Sequence, residues 1–324
     1  MPSVSDWNVP PAAQPKAREY GYDLDRALSA VVGLRAVIPA DAFTADILGT
    51  ERIGHGVLVR EDGLILTIGY LITEAEEVWL TLIDGRIVPG HVLAFDYETG
   101  FGLVQTLGRL DLPPLAFDQS SSAQAGEPVV LAGAGGSTRS VAARIVSKQE
   151  FAGYWEYVLD EAIFTAPAHP HWGGTGLIGP AGDLLGIGSL QLEGANKGKP
   201  EQLNMVVPID LLKPIYNDLL THGRANRPPR PWLGIYCIEV EDRIVIAGLA
   251  KGGPAQRAGL QTGDLLVAIA GTEVSELAPC FRKIWSLGHA GAEVPLQIWR
   301  EGDTFEVRIN SGDRDRYLKA PRIH

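Results

Sequence analysis

Residues 54–67 read Gly-His-Gly-Val-Leu-Val-Arg-Glu-Asp-Gly-Leu-Ile-Leu-Thr, GHGVLVREDGLILT: two apolar, β-prone runs on either side of Asp62-Gly63. An Asp-Gly pair supplies the positive backbone angles that a tight reversal needs, so the stretch predicts a β-hairpin. The signal repeats directly downstream. Val78–Leu82, the Asp84-Gly85 turn and Ile87–Phe95 predict a second hairpin. Further strands are expected at Gly102–Gln105, Pro128–Ala132, Val141–Ser147, Tyr157–Thr165, Gly176–Ile178 and Asp183–Ser189. Short strands at such spacing predict a β-sandwich or barrel. The 38 glycines and 22 prolines among 324 residues supply the turns it requires.

The pattern changes at residue 210. Leu211, Leu212, Ile215, Tyr216, Leu219 and Leu220 recur at helical spacing, Asp210 is placed to cap the start, and Gly223 suits the stop. The prolines of residues 225–231 then predict a stiff linker. Beyond it, Trp232–Tyr236 opens a second β-rich unit. Residues 253–269, GPAQRAGLQTGDLLVAI, predict a helical turn, a glycine corner and a buried strand, and Ser275–Leu287 predicts a helix. Val294–Trp299 and Phe305–Ile309 form a closing hairpin around Glu301-Gly302-Asp303. The expected division is an N-terminal arm (1–23), a double-barrel domain (24–225), a linker (226–231), a second domain (232–312) and a loose charged tail (313–324).

Charge narrows the function classes. Residues 1–225 hold 15 Lys/Arg against 27 Asp/Glu, a net −12, while residues 226–324 are at +1. The first part would repel a phosphate backbone, so nucleic acid is not an expected partner. Two cysteines, Cys237 and Cys280, exclude a cysteine-rich zinc site, and a disulfide-stapled secreted domain is not expected. The apolar run Ala27–Pro39 is too short to span a bilayer and contains Arg35, so membrane insertion is not expected. The first 25 residues lack the basic start and apolar core of a signal peptide, which predicts a cytoplasmic protein, with the periplasm as the alternative if the start is truncated.

With these pieces in order, the chain resembles the HtrA/Deg family: mostly β, a chymotrypsin-like double β-barrel followed by a PDZ domain, itself a small β-barrel with helices. The resemblance covers about residues 24–310. GHGVLVREDGLILT is similar to the family's Gly-Ser-Gly strand and following hairpin. DGRIVPGHVLAFDYETGFGLVQ resembles the strand pair that brings in the catalytic aspartate. NMVVPIDLLKPIYNDLLTHG resembles the helix that ends the protease domain, and PWLGI and GPAQRAGLQTGDLLVAI resemble PDZ signatures.

The resemblance also locates three catalytic positions, and each is altered. Where the family has the histidine of ILTNNHVV, this chain has Tyr70; in place of the aspartate of ETDLAL it has Gly100; in place of the serine of GNSGGPL, Gly173. The serine chemistry needs an imidazole to take the hydroxyl proton and a carboxylate to orient that imidazole. Glycine offers no nucleophile, and a phenol near pKa ~10 is a poor base at neutral pH. The resemblance therefore implies a degenerate, proteolytically inactive member. Gly173 and Gly174 are the expected remnants of an oxyanion hole, and Trp172 is placed to fill the cleft.

Two alternatives stay open. Thr175 with His171 or His169 is a replacement nucleophile–base pair, and His55, His169 and His171 together form a histidine metal site, with His91 further off. No cofactor is expected. In the PDZ part, Trp232, Leu233, Gly234 and Ile235 correspond to the loop that holds a C-terminal carboxylate, and Phe281 and Ile284, with Trp285 nearby, are expected across the groove. The implied partners are peptides or protein C-termini, with the chain acting as adaptor, chaperone-like factor or non-catalytic companion. Tyr20 and Tyr22 lie where family members make trimer contacts, which suggests a homo-trimer or association with an active relative.

Overall fold

The computed structural model describes residues 7–196 and 199–319, and divides the chain into two compact units. The first holds residues up to 149 and 161–226; the second holds 150–160 and 227–319.

In the first unit, six strands close a barrel: β1 (Val31–Val37), β2 (Glu51–Leu58), β3 (Leu64–Ile68), β4 (Glu77–Thr81), β5 (Ile87–Phe95) and β6 (Phe101–Thr106), ordered β1-β2-β3-β6-β5-β4. The hairpin expected around Asp62-Gly63 is β2–β3, in register Val57 to Leu66 and Leu58 to Ile65. A second closed barrel follows: β7 (Pro128–Ala132), β8 (Val141–Gly153), β9 (Tyr157–Ala166), β10 (Gly176–Ile178), β11 (Leu184–Asn196) and β12 (Lys199–Pro208), ordered β10-β11-β12-β9-β8-β7. Closure leaves neither sheet with an unpaired edge. A short helix, α1 (Leu24–Ser29), precedes the first barrel; Asp23 caps it by accepting the Arg26 N–H.

Two expectations about this unit are corrected. The helix expected from Asp210 begins later. Ile209–Leu211 is a 3₁₀ turn, and the α-helix runs over Tyr216–His222, ending at left-handed Gly223. Pro214 has no N–H to continue a helix, and Asp210 instead pairs with Lys213 and accepts the Ser121 N–H. The N-terminal segment is not a free arm from residue 7 onward. Val9 is buried in the core of the second barrel with Val129, Leu131 and Ile163, and its N–H bonds the Thr138 carbonyl.

In the second unit, β13 (Ile235–Val240), β14 (Arg243–Leu249), β15 (Leu265–Ile269), β17 (Glu293–Arg300) and β18 (Asp303–Asn310) form a sheet in that order, with the short β16 (Thr272–Glu273) on β15. Strand β13 is therefore an edge. Pro254–Arg257 is the expected helical turn, and the helix Leu277–Trp285 packs Phe281, Ile284 and Cys280 into a core with Leu233, Ile235 and Cys237. Pro279 is tolerated because it lies in the first turn, whose N–H groups have no intrahelical partner. The tail expected to be loose is folded as far as residue 319. Gly312 pairs with Trp232, and Tyr317 of the 3₁₀ turn Arg314–Tyr317 lies 4.8 Å from the Trp232 ring.

Candidate functional site

The first candidate is the place where Tyr70 reaches Gly173. Tyr70 sits on the 3₁₀ turn that follows β3. Its hydroxyl donates to the Ser189 carbonyl at 2.8 Å, and a Cβ built on Gly173 would lie 2.7 Å from the Tyr70 hydroxyl oxygen. Gly100 adjoins through the backbone, its carbonyl accepting the Gly69 N–H at 2.7 Å. Tyr70 and Gly173 thus lie side by side, and Gly100 bonds the residue before Tyr70. Burial pushes the Tyr70 phenol above its ordinary range, against a hydrogen bond from Trp172 that pulls it down, so it stays protonated at neutral pH. The turn rests on buried Arg52, whose guanidinium donates to the Tyr70 and Thr73 carbonyls at 2.6 and 3.0 Å.

The loop 168–175 is fastened on every side. The Gly173 carbonyl accepts the His55 N–H at 2.9 Å. Asn204 on β12, fully buried, accepts the His169 N–H at 2.6 Å. Trp7 covers the loop, its ring 4.4 Å from His171 and 5.4 Å from His169. Gly174 is corrected as an oxyanion-hole remnant: its N–H donates to the Gly188 carbonyl at 2.9 Å. Thr175 is corrected as a replacement nucleophile. It is fully buried, and its hydroxyl donates to the Trp172 carbonyl at 2.8 Å. Trp172 itself is half-buried.

The histidine metal site is corrected on the same grounds. His55 accepts the Ala134 N–H at Nδ1 and faces the His171 carbonyl with Nε2, both at 3.1 Å. His169 accepts the His171 N–H at Nδ1, 3.1 Å, and faces the Arg139 carbonyl with Nε2, 2.8 Å. Each ring is a neutral imidazole with one nitrogen donating and the other accepting, so neither keeps a lone pair for a cation. Among the described residues no cluster of three metal-ligating side chains is gathered.

The second candidate is the loop Leu233–Ile235. Gly234 turns it with φ +75°, and a Cβ there would meet Ala250 and Trp232 at 3.0–3.1 Å. The three successive N–H groups converge on one buried carboxylate, that of Glu156. Oε1 accepts from Gly234 at 2.7 Å and Ile235 at 3.0 Å, and Oε2 from Leu233 at 3.1 Å. Burial pushes the Glu156 carboxyl up to about 7, against those three donors, which pull it down. Leu233, Ile235, Phe281 and Ile284 share one buried cluster within the core of this unit. Trp232 instead packs against Tyr317. Glu156 carries little signal in the sequence. It lies 77 residues upstream of its first partner, and only its position at a hairpin tip flanked by Tyr154, Trp155 and Tyr157 marks it.

Residues 54–187 match a trypsin-like peptidase domain, and residues 231–310 match a PDZ domain. The chain has the two-domain plan of the HtrA/DegP family. A probable periplasmic serine endoprotease DegP-like protein of Pseudomonas fluorescens is 27% identical over 275 residues, covering 81% of this chain and 56% of the relative. That of Chlamydia trachomatis is 26% identical over 270 residues, covering 79% and 53%. This HtrA-like chain therefore spans just over half the length of the curated relatives it matches. Solved structures of the HtrA-type protease AlgW share its fold. The form with a tripeptide has a TM-score of 0.52 at 21% identity, covering 92% of this chain and 97% of that one. The form with a decapeptide has 0.54 at 20%, covering 92% and 98%. No helix among the described residues is long and apolar enough to cross a membrane.

Proposed function

We propose that this is a proteolytically inactive HtrA-like protein that binds peptides or protein C-termini through its PDZ domain, as an adaptor, chaperone-like factor or non-catalytic partner. One observation carries the inactivity. At positions 70, 100 and 173 the groups present are a protonated phenol bonded to a carbonyl and two glycines, with the phenol against Gly173 and Gly100 bonded to the residue before Tyr70. No group there attacks an amide carbon, and none takes a proton from one that would. The relatives are named serine endoproteases, so hydrolysis is the reading to beat. Incubation with unfolded casein is expected to leave it intact over hours, and a fluorophosphonate probe is expected to leave the chain unlabelled. A covalent label mapped to residues 168–175 would defeat the proposal.

Peptide binding is supported by the way Leu233–Ile235 already gather a carboxylate, since the same three amides suit the end of a polypeptide. Peptides with a free C-terminus and an apolar last residue are expected to bind, and their C-terminal amides to bind at least tenfold more weakly. Fluorescence anisotropy reads the difference, and equal binding of acid and amide would remove the carboxylate loop from the account. Because the curated relatives are named periplasmic, we place this chain in the periplasmic alternative.

A further inference from the structure

The carboxylate in the PDZ loop belongs to the chain itself. Strands β8 and β9 meet in a tip, residues 150–160, that packs within the second unit. Glu156 turns this tip with φ +60° and is 2% exposed. Its two oxygens take the N–H groups of Leu233, Gly234 and Ile235. Two residues further along the edge strand, the Cys237 N–H donates to the Tyr154 carbonyl at 2.8 Å. Val158 enters the buried cluster that contains Leu233, Ile235, Phe281 and Ile284. On the helix Leu277–Trp285, Arg282 bridges Glu150 and Asp160 at the base of the tip.

A bound C-terminus needs three things from such a groove: a carboxylate on the loop, backbone pairing along the strand edge, and an apolar side chain in the pocket. The tip supplies all three. We propose that residues 150–160 are a tethered ligand of the PDZ groove, with the Glu156 side chain standing in for a C-terminal carboxylate, so that a free C-terminus binds only by displacing the tip. This rests on the peptide-binding reading above and names its regulation. The Leu233–Ile235 amides cannot serve two carboxylates at once, and a short tether presents its own at an effective concentration in the mM range. Apparent affinity for outside peptides is the intrinsic affinity multiplied by the fraction of molecules whose groove is open.

The test uses the full chain and fluorescein-labelled decapeptides with free C-termini ending in Val, Leu, Ile or Phe. Glu156→Ala is expected to raise their affinity at least tenfold over wild type, with the amidated decapeptides still weak. Arg282→Gln, a change at a partly exposed side chain that leaves the loop intact, is expected to raise it two- to fivefold and serves if Glu156→Ala does not fold. Hydrogen exchange gives an independent readout. Saturating free-acid peptide should speed exchange of the wild-type amides in residues 151–157, and Glu156→Ala should speed them without peptide. Equal, tight binding by wild type and variants would overturn the tethered ligand and leave the peptide-binding reading standing. If neither wild type nor variant binds any decapeptide, that reading fails instead, and exchange decides the tether: faster exchange of the Leu233–Cys237 amides in Glu156→Ala supports it, and unchanged exchange overturns it.

Discussion

Acidification from pH 6.5 to 4.5 is expected to cost the double-barrel unit on the order of 4 kcal/mol of stability. The source is the pair His55 and His169. Burial, with the neighbouring rings and Arg139 adding to it at His55, lowers His55 to about 3, and burial lowers His169 to about 4. An unfolded imidazole binds a proton near pH 6.5, while these folded rings refuse one until far lower. The stability they contribute is therefore complete above pH 6.5 and is lost as pH falls toward 4 and 3. Geometry gives the same sign: a proton added at Nδ1 of His55 would face the Ala134 N–H, and one at Nδ1 of His169 the His171 N–H. The window also separates these rings from Asp210, which Lys213 and Ser121 hold down to about 2 and which matters only in stronger acid.

The PDZ unit should move the other way over the same window. Glu156 has its carboxyl raised to about 7, so the folded form holds a proton that the unfolded chain has released above its ordinary carboxylate range. That contribution is present at low pH and lost as pH rises through 7. The groups that bear on it are Arg314, which opposes the rise, and Tyr236, Cys237 and Cys280, which are protonated throughout this range. Calorimetry of the full chain should show the two transitions shifting in opposite directions between pH 7 and 4.5. His169→Gln keeps one acceptor and one donor but no titration, and should remove about one proton, roughly 1.4 kcal/mol per pH unit, from the barrel's pH slope. An unaltered slope in that variant would show that the ring is not the source.

Much of this architecture is legible locally. Asp62-Gly63 sets a reversal, and the apolar runs around it set the register, so β2–β3 needs no distant information. The glycine corner of residues 259–264 and the closing hairpin β17–β18 are of the same kind. Positions 70 and 173 are singled out by the resemblance alone, and the structure sets the Tyr70 hydroxyl against Gly173. What escapes is long-range. Nothing in Tyr154-Trp155-Glu156-Tyr157 announces that its carboxylate will meet amides at 233–235. Val9 looks like one apolar residue in a proline-rich stretch until the second barrel gives it a core to enter. The misplaced helix start is different in kind: Pro214 carried the warning, and helical periodicity outweighed it.

Gly174→Ala is expected to destabilise the double-barrel unit by about 3–5 kcal/mol, while Gly173→Ala next to it costs about 1 kcal/mol. At Gly174 the backbone has φ +79°, a conformation that costs an L-residue about 1–2 kcal/mol. A Cβ there would also stand 1.9 Å from the His55 carbonyl oxygen and 2.7 Å from the Thr67 hydroxyl. The nearer atom is backbone within β2, so relief means moving the strand or surrendering the bond from Gly174 N–H to Gly188. At Gly173 the only close atom is the Tyr70 hydroxyl, 2.7 Å away at the end of a side chain that can turn. Urea denaturation of the two variants reads the contrast, and similar losses would mean the loop is less firmly held than its bonds imply. The asymmetry bears on function. A loop that must bind a transition state keeps donors turned toward the substrate; here the Gly174 donor is turned inward to Gly188, and Gly174 is fixed there by the shape of the barrel. Under the inactive reading proposed above, a serine introduced at 173 alone would add a hydroxyl beside the Tyr70 phenol, with the Gly174 N–H already committed to Gly188.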